Sequence, residues 1–165
     1  MSTQPLLAER KLTKYFRAPN QQIQQPLNIA TGVTIRSDAN RIFQALTQPE
    51  YLETWIAVPG DEGDSYLLAS HRSAGFRLDH YRSGTLDLMI SGEYRVCRRR
   101  KLLFTWRTTR DNTSAESLVF IGLHGNFDDT LLELHHRGFS SPAECSWQHE
   151  MWTLSLDRLS RLFGC

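Results

Sequence analysis

The chain has 165 residues, of which 40% are hydrophobic and 22% are charged, the proportions of one globular domain long enough to bury a core. Its formal net charge of +1 argues against a protein that attracts nucleic acid through a basic surface. Three cysteines without paired spacing predict no zinc framework, and the lack of an apolar leader or a membrane-length apolar run predicts a cytoplasmic protein with no membrane contact.

The first 26 residues differ from the rest of the chain and are predicted to form an arm and a linker. Residues 20–26 are polar and are bracketed by Pro19 and Pro26, which is typical of a connecting segment. Apolar side chains precede this segment at Leu6, Leu7, Leu12, Tyr15 and Phe16. The arm is therefore expected either to dock as a short element or to form a partly ordered tail, with one domain over residues 27–165.

One strand and two short helices are predicted next. The spacing of the apolar residues indicates a strand over 27–37, and Ser37 or Asp38 is the expected cap of a helix over 39–47. Pro49 is expected to begin a second helix that reaches Trp55.

Several strands follow, because apolar and polar residues alternate with a period of two. The clearest segments are 76–81, 94–100, 102–106, 118–124 and 131–137. The expected turns lie at Gly84, Gly92, 111–112 and 126–129. Such short connections predict an antiparallel sheet, and helices grouped to one side of it make the fold class α+β.

A long C-terminal helix is predicted from Ser141 and Pro142 to Phe163, with proline at the first helical position, where its missing N–H costs nothing. Its apolar stripe recurs at spacings of four and three, at Cys145, His149, Trp152, Leu156, Leu159 and Phe163.

Residues 37–55, SDANRIFQALTQPEYLETW, resemble the opening of the START-like (SRPBCC) superfamily, in the branch similar to the activator of the heat shock protein 90 ATPase. Weaker matches follow in order at 74–77 (AGFR), 92–95 (GEYR), 102–106 (LLFTW), 130–136 (TLLELHH) and 149–152 (HEMW). The resemblance implies a helix-grip fold, in which a curved antiparallel sheet wraps around the last helix and leaves an apolar cavity. It implies no single activity. The chain departs from the branch at Met151, where glycine is usual, and at Ile56, where a second tryptophan-like residue is usual.

Aromatic residues lie on most of the elements that would line such a cavity, although plain core packing would also explain them. The candidate ligand contacts are Trp55, Phe76, His80, Phe104, Trp106, Phe120, His149 and Trp152. His149 is expected to face the sheet or the cavity, because it lies within the helix stripe. Tyr66, Tyr81, His80 and His149 are the candidate polar groups.

Motifs for metal, cofactor or nucleophilic chemistry are not recognisable. His149 and Glu150 begin like a zincin helix, but Thr153 replaces the second histidine. His135 and His136 are adjacent on a strand and must point to opposite faces, so no metal site and no cofactor are predicted. Cys97 is interpreted as a half-buried structural thiol. The basic run 98–101 is interpreted as an exposed hairpin tip.

These observations favour a protein that binds a hydrophobic or aromatic small molecule between the sheet and the last helix. Two alternatives remain. One is an enzyme resembling polyketide cyclases or dehydratases, in which a histidine or a tyrosine moves a proton and the expected histidine is His149 or His80. The other is a chaperone or stress-response partner protein. Trp147, Met151 and Leu154 are expected to form an apolar patch on the last helix that supports a homodimer.

Overall fold

A seven-stranded antiparallel sheet forms most of the computed structural model, which describes residues 27–61, 63–110 and 116–164. The spatial order of the strands is β1-β7-β6-β5-β4-β3-β2, and all neighbouring strands are antiparallel. Their bounds are β1 Asn28–Ile35, β2 Ser65–Arg72, β3 Gly75–Arg82, β4 Thr85–Arg98, β5 Lys101–Thr108, β6 Ser117–Gly125 and β7 Thr130–Arg137.

Three helices complete the fold: α1 (Ala39–Thr47), α2 (Pro49–Trp55) and α3 (Pro142–Leu162). The side chain of Asp38, rather than that of Ser37, caps α1 by accepting hydrogen bonds from two backbone N–H groups at 2.9 and 3.1 Å. At the start of α3, Ser141 Oγ accepts from the backbone N–H of Glu144 at 3.1 Å, and proline occupies the first helical turn. The predicted starts of all three helices are confirmed.

The core lies between one face of the sheet and the helices. The buried apolar residues of the strands and helices form one cluster, with α3 packed against β1 and α2 against β2. Register shifts in β4 beside Tyr94 and in β3 beside His80 add local twist to the sheet. This arrangement is the α+β helix-grip fold that the resemblance implied.

The long strand β4 corrects the turn predicted at Gly92, which lies in the middle of that strand. The residue is small because a Cβ there would lie 2.1 Å from the carbonyl oxygen of Thr105 and 2.6 Å from the Phe76 ring. The strand β2 was missed, because Tyr66, Leu67, Leu68 and Ala69 are all apolar and show no alternation.

The buried face of α3 also differs from the predicted stripe. It consists of Gln148, Met151, Trp152, Ser155, Leu156 and Leu159. Trp152, Leu156 and Leu159 of the predicted stripe are buried, as expected. Ser155 can lie on the buried face because its Oγ accepts the backbone N–H of Ala57 at 2.9 Å. His149 lies on the exposed side of the helix, contrary to the prediction.

The basic run forms the predicted hairpin tip, since β4 ends at Arg98 and β5 begins at Lys101. The N-terminal arm and the turn at 111–112 lie outside the described residues. Among the described helices, none is long and apolar enough to cross a membrane.

Gly92→Ala should destabilise the fold by about 1–3 kcal/mol, because the new methyl group must displace backbone or the Phe76 ring. Urea unfolding followed by circular dichroism measures this loss. Gly122→Ala is the matched control, since its nearest contact, at 3.0 Å, is the flexible His124 side chain. Equal losses for the two variants would contradict this account of Gly92.

Candidate functional site

An apolar cavity of about 20 Å³ lies at the centre of the fold. Side chains from all three helices and from β3 to β6 line it, together with Ile56, which follows α2. A space of this size holds about one water molecule, whereas small-molecule sites typically measure about 300–1,000 Å³. We call this space the apolar cavity; its lining residues are Leu46, Leu52, Trp55, Ile56, Phe76, Leu78, Tyr94, Phe104, Trp106, Ile121 and Trp152.

Aromatic rings form a continuous wall of the apolar cavity. The Phe76 ring lies 5.6 Å from that of Phe104 and 5.8 Å from that of Trp106, measured between centroids. Trp106 in turn lies 4.9 Å from Trp152 of α3. These are tilted or edge-to-face contacts, which place ring edges against ring faces.

Tyr94 brings a hydroxyl group to this wall. Burial, and to a smaller extent the nearby Cys97, raises the pKa of Tyr94 to about 12, so the phenol is neutral at any physiological pH. It can donate or accept a hydrogen bond but supplies no charge.

A chain of hydrogen bonds around His136 joins α3 to three strands. Because the indole N–H of Trp152 can only donate, Nδ1 of His136 accepts from it, at 2.9 Å. The other ring nitrogen, Nε2, therefore carries the proton and donates to Ser117 Oγ at 2.7 Å, and the Ser117 hydroxyl donates to the carbonyl oxygen of Trp106 at 2.9 Å. Burial lowers the pKa of His136 to about 3, so the imidazole stays neutral and the chain keeps one direction.

Five of the eight predicted ligand contacts line the apolar cavity, namely Trp55, Phe76, Phe104, Trp106 and Trp152. Phe120 does not, because it faces the opposite side of the sheet, where its ring lies 6.2 Å from that of the exposed His135. The lining residues missed were Leu46, Leu52, Ile56, Leu78, Tyr94 and Ile121. The alternation of apolar and polar residues predicted the strands that carry Leu78, Tyr94 and Ile121, but it does not show which face of the sheet points inward.

Neither of the two candidate catalytic histidines lines the apolar cavity. His149 is exposed on α3, beside Leu27 and Pro142, contrary to the expectation that it faces the sheet. His80 is buried, and its Nε2 lies 3.3 Å from a carboxylate oxygen of Asp61. Its Nδ1 lies 3.3 Å from Asp87 without hydrogen-bond geometry.

The other candidate polar groups also lie away from the cavity. Tyr66 and Tyr81 stack on each other at 5.1 Å across β2 and β3, and Tyr66 is exposed.

Cys97 is exposed rather than half-buried, and partial desolvation raises the pKa of its thiol. His135 is exposed while His136 is buried, as expected for adjacent strand residues. Within the described residues, no three His, Cys, Asp or Glu side chains are grouped to hold a metal ion.

The predicted apolar patch on α3 is smaller than expected. Met151 is fully buried and belongs to the core, so it cannot contribute to a surface. Trp147 is half-buried, with the guanidinium carbon of Arg110 4.3 Å above its ring. Leu154 remains 41% exposed, and it shares one face of the helix with Trp147, which lies two turns away.

Comparison with known proteins gives one family and many structures of the same fold. A family model described as Activator of Hsp90 ATPase homolog 1-like protein matches residues 36–164. No curated protein matches the chain.

Three of the similar solved structures are matched by this chain over nearly their whole length. A protein from Chromobacterium violaceum is 16% identical, with a TM-score of 0.63 over 84% of this chain and 98% of that one. An AHSA1 protein from Silicibacter pomeroyi is 19% identical, with a TM-score of 0.65 over 81% and 94%. The Aha1 dimer from Colwellia psychrerythraea, solved in solution, is 15% identical, with a TM-score of 0.59 over 82% and 95%.

The buried His136 predicts a loss of stability in acid. Its pKa is about 3 when folded and about 6.5 when unfolded, so below pH ~6.5 the unfolded state binds the extra proton. This contribution to the free energy of unfolding is complete above pH ~6.5 and falls by about 1.4 kcal/mol per pH unit towards pH ~3.

Urea unfolding between pH 7 and pH 4.5 measures this slope. His136→Gln should flatten it, whereas His135→Gln, which changes the exposed neighbouring residue, should leave it unchanged. The same slope in both variants and the unmodified protein would contradict the assignment.

Proposed function

The chain belongs to the family of Activator of Hsp90 ATPase homolog 1-like proteins, and from that premise we propose that it binds a hydrophobic or aromatic small molecule between its sheet and its helices. The observation that supports this most is the apolar cavity, on which aromatic side chains from α2, α3 and three strands converge. Burial of apolar ligand surface there would contribute about 25 cal/mol per Å².

Binding requires the cavity to open, because its present volume of about 20 Å³ is too small for an aromatic molecule. Helix α2 is the segment best suited to move, since it has only seven residues. Hydrogen bonds connect it to its neighbours: the indole N–H of Trp55 donates to the carbonyl oxygen of Ala45 at 2.8 Å, and the backbone N–H of Ala69 donates to Glu53 Oε1 at 2.8 Å. Just after the helix, the backbone N–H of Ala57 donates to Ser155 Oγ of α3 at 2.9 Å. The ligand would select the minor population in which α2 is displaced.

The alternatives differ from this proposal in what they need. A cyclase or dehydratase that uses His80 or His149 would need that histidine inside the cavity, and neither lines it, whereas the one hydroxyl on the lining is that of Tyr94. A chaperone partner would bind through its surface, and its binding would not change when the size of the cavity changes.

The unmodified protein should bind naphthalene, and Leu52→Ala should bind it at least about tenfold more tightly, because this truncation enlarges the aromatic-lined apolar cavity itself. NMR titration measures both affinities. Leu132→Ala is the matched control: Leu132 is equally a core leucine but does not line the cavity, so its truncation should leave the affinity unchanged. Absence of binding to both the unmodified protein and Leu52→Ala would refute the proposal.

We also propose a homodimer formed through the face of α3 that carries Trp147 and Leu154. The exposed Leu154 supports it, as does the dimeric state of the Colwellia psychrerythraea Aha1 protein. Pairing of this face with its copy would be symmetric, which is the commonest form of protein association.

Leu154→Glu should convert the dimer to a monomer, because it places two like charges in the shared interface. Size-exclusion chromatography with light scattering measures the mass. Leu131→Glu is the control, since Leu131 has a similar exposure, 39%, on the outer face of β7. A mass unchanged by the first substitution, or lowered equally by both, would rule out this interface.

A further inference from the structure

A second cavity lies where β5 and β6 meet the first two turns of α3, and it measures about 20 Å³. Trp106 and Thr108 are two residues apart on β5, so they point to the same face of the sheet, and Gln148 of α3 lines the same space. Trp106 is also part of the wall of the apolar cavity. We call the second space the polar cavity.

Three side chains on this lining carry a buried polar atom without a hydrogen-bond partner among the residues that the structure describes. The atoms are Nε1 of Trp106, Oγ1 of Thr108 and Oε1 of Gln148, and these residues are only 3%, 6% and 1% exposed. Elsewhere in the described part of the chain, only Ser37 and His80 carry such an atom. Buried polar groups are nearly always paired, so three unpaired ones around one space indicate that a bound molecule pairs with them.

The charges on the lining favour a neutral molecule. Arg107 and Glu144 both line the polar cavity, so an anion drawn to Arg107 would lie near the Glu144 carboxylate, and a cation would meet the reverse arrangement. Both charges also have partners: the Arg107 guanidinium lies 2.9 Å from Glu116 Oε1, and Glu144 Oε1 accepts from Gln148 Nε2 at 3.1 Å. The size of the space then selects the molecule, because about 20 Å³ holds one water and leaves no room for more.

We propose that the polar cavity binds one water molecule, which accepts a hydrogen bond from the indole N–H of Trp106 and donates one to Gln148 Oε1. The indole N–H can only donate, and the carbonyl oxygen of Gln148 can only accept, so the water must do both. The Thr108 hydroxyl, which can donate or accept, makes the third bond. Three bonds are the usual number for a buried water molecule.

This water closes a circuit of hydrogen bonds that begins and ends on α3. The indole N–H of Trp152 donates to His136, which donates to Ser117. The Ser117 hydroxyl donates to the carbonyl oxygen of Trp106, and the water leads from the indole of Trp106 back to α3 at Gln148. The water therefore holds the second turn of the helix to β5. This inference goes beyond the proposed function and does not rest on it.

Water–protein NOE and ROE spectra test the site at the indole N–H of Trp106. Its signal should show cross-peaks to water with the signs of a bound molecule. The indoles of Trp55 and Trp152 are internal controls, since they donate to the carbonyl oxygen of Ala45 and to His136 and should show no such cross-peak. Oxygen-17 relaxation dispersion, which detects water but not protein hydroxyl groups, counts the long-lived water molecules.

Thr108→Val and Thr108→Ile form a matched pair, because both remove the hydroxyl and only the second adds a methyl group that fills the polar cavity. Thr108→Val should keep the cross-peak, since Trp106 and Gln148 still bond to the water. Thr108→Ile should abolish the cross-peak and lower the number of long-lived waters by about one. Tyr94→Phe removes the hydroxyl on the lining of the apolar cavity and should change neither measurement.

The absence of the cross-peak from the unmodified protein would overturn the proposal. Its loss in Thr108→Val would also do so, because the signal would then come from the Thr108 hydroxyl. Its retention in a folded Thr108→Ile, or its loss in Tyr94→Phe, would place the water outside the polar cavity. If Thr108→Ile does not fold, the unmodified protein and the other two variants still decide.

Discussion

The interior depends on one chain of hydrogen bonds centred on a neutral, buried histidine. Through His136, the indole N–H of Trp152 on α3 is connected to Ser117 on β6 and to the backbone of Trp106 on β5. The chain keeps its direction only while the imidazole is uncharged, and burial ensures this by lowering its pKa to about 3. The chain orients the indole of Trp152 and holds the backbone of Trp106, and both residues are walls of the apolar cavity, so it fixes two parts of that wall.

The same chain holds α3 against the sheet, because Trp152 on that helix donates to His136 on β7. Helix α2 is shorter, and a single side-chain bond, through Glu53, connects it to the edge strand β2. The segment that follows α2 is tied to α3 rather than to the sheet, since Ser155 Oγ accepts the backbone N–H of Ala57. The proposed opening of the apolar cavity would therefore displace α2 and strain this last bond, while the bond to β7 keeps α3 in place.

The sequence predicted the helices and strands correctly where each has a local physical cause. Asp38 and Ser141 cap helices through bonds to residues two or three positions away, so their effect is visible in a short window. The prediction failed where the cause was distant: Gly92 is small because Thr105 and Phe76 lie against it, not because the chain turns there. The prediction of the buried face of α3 failed in part for the same reason, because Ser155 is buried against the backbone N–H of Ala57, a partner far away in the sequence.

The sequence by itself determined the class of fold, the order of its elements apart from β2, and the aromatic character of its interior, since these follow from periodicity, capping and composition. It also placed five of the cavity residues among the candidates, because large aromatic side chains in alternating strands are usually buried. Only the tertiary structure showed which histidine takes part in the buried hydrogen bonds. His136 is buried and neutral while His149 is exposed, and that difference depends on the rotation of a helix and on the inward face of a strand. Both are settled by contacts between residues far apart in the chain, which no local pattern records.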